Sequence, residues 1–101
     1  MSEENVVFID ADLEDLTPLF LENRQNDIVE INRLVEASDF PEIQRLGHSM
    51  KGSGGGYGFD EITQIGHELE EAAQRGDKET VIELTNRLSK YLSSVKIVYQ
   101  E

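Results

Sequence analysis

Two histidines and no cysteine bound the covalent chemistry open to this 101-residue chain. Without cysteine there is no thiolate nucleophile, no thiolate zinc site and no disulfide scaffold. A histidine can act as nucleophile, proton carrier or metal ligand, and its neighbours decide which. His48 lies in Gln44-Arg45-Leu46-Gly47-His48-Ser49-Met50-Lys51-Gly52, followed by Ser53-Gly54-Gly55-Gly56-Tyr57-Gly58. At about 100° per helical residue it stands about 200° from both Leu46 and Met50, away from the apolar stripe. Its helical neighbours are Gln44 at i−4, Lys51 at i+3, Gly52 at i+4 and Gly55 at i+7. That face carries an imidazole, a cation and two positions with no side chain. A neutral imidazole is a nucleophile, a lysine beside it can neutralise an incoming phosphoryl group, and empty positions admit a donor's active site. The arrangement suits a phosphoryl acceptor. The plainer reading, an exposed surface histidine, does not explain its neighbours.

Other chemistries fail on spacing. His67 is also turned away from the apolar Ile65 and Leu69, among Glu68, Glu70 and Glu71, and reads as part of a solvated acidic face. The second reading is a weak metal site shared with Glu71 at i+4. A zincin pattern would need histidine where Glu71 stands. A di-iron bundle motif would need glutamate at Arg45 and Gln64, three residues before each histidine. The glycine cluster holds no G-x-G-x-x-G frame, because Tyr57 occupies a glycine place, and no Gly-Lys-Ser/Thr ending. Around Ser49 a hydrolase elbow is excluded by Lys51 in place of its last glycine.

The segment Gly47–Gly58 resembles the signature of histidine-containing phosphotransfer (HPt) domains. In that family the histidine is followed by an apolar residue at two, Lys-Gly at three and four, a small residue at five and Gly at ten. Met50, Lys51, Gly52, Ser53 and Gly58 stand at those places. Ile62, Ile65, Leu69 and Glu70 are similar to the family's third-helix pattern, which ends in Leu-Glu. The resemblance covers essentially the whole chain. Met50 replaces a commoner leucine at similar volume, and the Gly54-Gly55-Gly56 run is richer in glycine than the family needs.

The resemblance implies a phosphorelay intermediate. His48 would accept a phosphoryl group on Nε2 from a receiver-domain aspartate or a histidine kinase and pass it to another receiver. Lys51 would assist electrostatically, Gly52 would keep the ring accessible, and Gln44 and Gly55 would lie in the contact surface. The partners implied are a response-regulator receiver domain and a hybrid histidine kinase. The chain would be a carrier and not an enzyme, with no cofactor of its own, since Mg²⁺ would belong to the receiver.

Helices must position these residues. Asp10 or Asp12 can cap a short first turn carrying Leu13 and Leu16. Thr17-Pro18 reads as an N-cap followed by proline at the first helical position. Leu21, Ile28, Ile31 and Val35 then mark a stripe ending near Glu36. Ser38-Asp39-Phe40-Pro41 repeats the start signal before Ile43, Leu46 and Met50. This helix either stops at the glycines or runs on to about Tyr57. Asp60 can cap a third helix bearing Ile62, Ile65, Leu69 and Ala72–Ala73, closed by Arg75-Gly76. Asp77 opens a fourth, in which Val81, Leu84, Leu88, Tyr91, Val95 and Val98 step by three and four. The β-branched tail Val95–Val98 keeps that helical phase and shows no partner run, so it reads as helix. The expectation is one all-α domain over residues 1–101: an up-down antiparallel four-helix bundle with a short extra N-terminal helix.

Composition narrows the partners. Lys and Arg number 9 against 21 Asp and Glu, a net charge of −12. Such a surface repels phosphate backbones and anionic lipid, so neither nucleic acid nor membrane is expected. The Met1-Ser2-Glu3-Glu4 start has no basic region, and the longest apolar run there is Val6-Val7-Phe8-Ile9, so neither leader nor span is expected. A cytoplasmic monomer follows as the expectation. The rival reading is a helical interaction module without chemistry, docking through the glycine-rich face. Phe8, Ile9, Leu13, Leu16 and Phe59 would either join that docking patch or cap one end of the bundle. A phosphorylated domain of a larger chemotaxis-type kinase would share the motif.

Overall fold

Four helices carry the periodic stretches: α1 (Thr17–Glu36), α2 (Phe40–Gly56), α3 (Asp60–Gln74) and α4 (Lys78–Ser94). They are seen in a computed structural model that describes the backbone from Asn5 to Glu101 and side chains from Val6 onward; the Met1-Ser2-Glu3-Glu4 start lies outside the described residues. Connections over 37–39, 57–59 and 75–77 are too short to do other than reverse the chain, so consecutive helices run antiparallel. α2 and α3 pack most closely, and α1 and α4 complete the ring of contacts. The radius of gyration is 13.7 Å, against roughly 13 Å for a compact chain of this length. Among the described residues no helix is long and apolar enough to cross a membrane.

The predicted stripes supply most of the core; Leu21, Ile28 and Leu46 are only half-buried, and Phe20 and Leu34 join from outside the stripes. Ile31 and Val35 of α1, Ile43 and Met50 of α2, Ile62, Ile65 and Leu69 of α3, and Val81, Leu84, Leu88 and Tyr91 of α4 are all buried.

The chain is not all-α. Residues Asn5–Asp10 form a strand, β1, that pairs in parallel with β2 (Val95–Gln100), Asn5 opposite Val95 and Asp10 opposite Gln100. The tail read as helix is therefore β2, and its partner run is the apolar Val6–Ile9. Val95 and Val98 satisfy a helical step, but burial alternates: Val95, Ile97 and Tyr99 face inward while Lys96, Val98 and Gln100 face out. Period two decides for a strand. Parallel pairing needs a long crossover, and here the whole bundle supplies it. Two strands alone are marginal; Ile9, 1% exposed, ties this pair to the core.

The short N-terminal helix is absent as well. In its place a single 3-10 turn, Ala11–Leu13, is capped by Asp10, whose carboxylate accepts from the Asp12 amide at 2.8 Å. That turn leads straight into α1, so Leu16 takes the cap position and the Thr17 hydroxyl donates to the Leu13 carbonyl at 2.8 Å instead. Asp60 does not cap α3 either. Phe59, wholly buried, holds that position, and Asp60 begins the helix. Asp39 and Asp77 do cap, accepting from the Glu42 and Thr80 amides.

Candidate functional site

α2 runs through the glycines to Gly56, and Gly58, at φ +86°, ends it. The Phe59 amide donates back to the Gly54 carbonyl and the Gly58 amide to that of Gly55, satisfying the last carbonyls. His48 therefore sits mid-helix on a regular turn. Its side chain is 69% exposed, on the face turned away from buried Met50.

Two further glycines set the distance to α3. A Cβ on Gly47 would fall 2.8 Å from both the Glu70 amide nitrogen and the Gly66 carbonyl oxygen. One on Gly66 would fall 2.5 Å from the Lys51 amide nitrogen. The two helices thus touch backbone to backbone beside His48, closer than side chains would permit.

That approach brings Glu70 of α3 under the histidine. Its Oε2 lies 2.9 Å from His48 Nδ1, and its Oε1 accepts from Lys51 Nζ, also at 2.9 Å. The bond from Lys51, together with the weaker help of His48, holds the Glu70 carboxyl below the ordinary glutamate value. An ionised carboxylate only accepts, so Nδ1 must carry the proton in this contact. The remaining lone pair of a neutral ring is then on Nε2.

The remaining candidates share this face in different ways. A Cβ on Gly52 would meet nothing within 4 Å, leaving open space one turn beyond His48. Gly55 is exposed, and Gln44, one turn before His48, is half-buried. Lys51 stands beside the histidine but is tied to Glu70. Sequence reasoning missed Glu70 as the partner of both; only its place in the Leu69-Glu70 pair of the third-helix pattern pointed there. His67 lies elsewhere on α3, its Nε2 3.5 Å from Glu71 Oε1. Among the described residues no group of three acids or histidines is placed to hold a metal ion. Of the apolar residues considered for docking, Ile9 and Phe59 are core, Leu13 is half-buried, and Phe8 and Leu16 are exposed.

The family model of the Hpt domain matches residues 15–96. Comparison with curated proteins and with solved structures gives no match. The matched span holds all four helices, His48, Lys51 and Glu70, and excludes β1. With most of its length matched, and a solvent-open histidine on the second helix of a four-helix bundle, the chain belongs to the Hpt domain family of phosphotransfer intermediates in two-component signalling.

Proposed function

We propose that His48 accepts a phosphoryl group on Nε2 from the phospho-aspartate of a receiver domain, or from a histidine kinase, and passes it to a second receiver. The observation that carries this reading is the Glu70 carboxylate on His48 Nδ1, opposite the free nitrogen of an exposed ring. The Nε2 lone pair attacks phosphorus, the N–P bond forms, and the bond to the aspartyl oxygen breaks to release a carboxylate. The ring becomes cationic while Nδ1 keeps its proton, and Glu70 stabilises that charge where it develops. Return transfer runs the same steps backwards, so the chain acts as a carrier.

Lys51 serves twice in this scheme. It keeps Glu70 ionised, and its charge offsets part of the cost of bringing a phosphoryl group to a chain of net charge −12. Gly52 and Gly55 leave room for the receiver, with Gln44 at the margin of the contact. Mg²⁺ comes with the receiver, and the carrier works as a cytoplasmic monomer. The test is incubation of the whole chain with a phosphorylated receiver. An acid-labile, base-stable label is expected, and His48→Gln should abolish it while leaving the helical spectrum unchanged. Label persisting in His48→Gln would overturn the assignment, and a chain that binds the receiver without labelling would leave only the interaction module.

A further inference from the structure

A second recognition feature lies away from His48. An open cleft of about 490 Å³ is lined by Val6, Val7 and Phe8 of β1 and by Gly58, Asp60, Glu61 and Tyr91. Three consecutive strand residues point to alternate faces, so it is the edge of β1 that borders the cleft. No β2 residue lines it, which makes this the edge turned away from β2. Among the described residues Val6–Ile9 show no backbone hydrogen bond beyond the ladder to β2. An unpaired edge is a template for another strand unless charge, proline or a bulge blunts it. From Val6 to Ile9 this one has none of those, and Val6 and Phe8 are exposed.

The opposite wall is polar, with Asp60, Glu61 and Tyr91 on it. Tyr91 is 6% exposed and lines the cleft. Burial, and then the charges of Glu61 and Asp60, push the phenol up to about 12, which keeps it a neutral donor beside two carboxylates. Glu61 is engaged by Arg87 at 3.0 Å, whereas Asp60 has no ion-pair partner among the described residues.

We propose that this cleft takes an extended segment of a partner protein bearing lysine or arginine, paired along β1 as a third strand, with the cation on Asp60 and a polar contact to the Tyr91 hydroxyl. A second copy of this chain brings another net −12 and is disfavoured, as is any acidic segment. Asp60 precedes Glu70 by ten residues on α3, about 15 Å at 1.5 Å per residue. β1 also lies outside the residues matched by the family model. The segment can therefore stay bound while His48 exchanges phosphoryl groups.

The test uses the full chain, ¹⁵N-labelled, titrated with a synthetic peptide of alternating lysine and valine. Saturable shifts are expected at Val6–Asp10 and Gly58–Glu61. Asp60→Asn should weaken binding by about tenfold, the loss of one charge-assisted contact, and Tyr91→Phe should weaken it as well. A peptide of the same charge but with N-methylated valines should not bind, because it cannot pair along the edge. Equal binding of the N-methylated peptide, shifts spread over acidic faces remote from the cleft, or no binding would each overturn the proposal. So would edge shifts that follow protein concentration alone, since the occupant would then be a second copy.

Discussion

Alanine at Gly66 and alanine at Gly52 should move stability in opposite directions, although both glycines are helical. Propensity alone favours alanine in each place by up to about 1 kcal/mol. At Gly52 nothing lies within 4 Å of the new Cβ, so that gain should be realised, raising Tm by about 4–8 °C for a domain of this size. At Gly66 the Cβ would meet the Lys51 amide nitrogen at 2.5 Å and the Gly47 carbonyl oxygen at 2.8 Å. Both are main-chain atoms, so no rotamer change relieves the overlap, and the helices must part by roughly 1 Å. Overpacking costs about 1–3 kcal/mol, with the upper end expected between two backbones. Set against the propensity gain, Gly66→Ala should lose about 2 kcal/mol, or about 8–16 °C in Tm. The same separation lifts Glu70, one turn further along α3, out of hydrogen-bond range of His48, so phosphotransfer should slow in the folded variant. Thermal unfolding followed by far-UV circular dichroism, and a transfer time course well below both melting points, read the two effects. Equal rises in Tm for the two variants would refute the claim that α2 and α3 meet backbone to backbone.

Three other outcomes follow from the same structure. Ser38, at φ +55°, ends α1 in the left-handed region without being glycine, so Ser38→Gly should raise stability by about 1 kcal/mol in chemical unfolding. Ile9→Ala should cost about 2–4 kcal/mol, because Ile9 is the buried residue that anchors β1; a surface-like effect would contradict the strand. Glu70 is held below its ordinary value, so its pairs with Lys51 and His48 contribute fully above that value and are lost as pH falls through the lower folded value. Between about pH 5 and pH 2 the wild-type chain should therefore lose more stability than Glu70→Gln, as measured by denaturant midpoint.

The helices were legible because their stripes step by three and four, and the Asp39 and Asp77 caps because each stands at the residue before its helix. His48 was legible because it departs from its stripe beside side-chain-free positions. What failed did so where local and distant signals compete. Val95 and Val98 keep the helical step although the strand sets them on opposite faces, and their partner lay ninety residues away, a pairing that no local window contains. Thr17 and Asp60 look like caps, but an incoming turn and the burial of Phe59 moved the boundaries. Glu70 was hidden for a similar reason. Its role depends on how closely α2 and α3 approach, and that is set by Gly47 and Gly66, residues whose lack of a side chain says nothing until the facing helix is in place.

The most direct test of the central claim is to phosphorylate the ¹⁵N-histidine-labelled chain from a receiver and locate the new bond by ¹⁵N–³¹P coupling. A single N–P bond at Nε2 of His48, with Nδ1 still protonated against Glu70, is the predicted result. A bond at Nδ1 of His48, or at either nitrogen of His67, would contradict it.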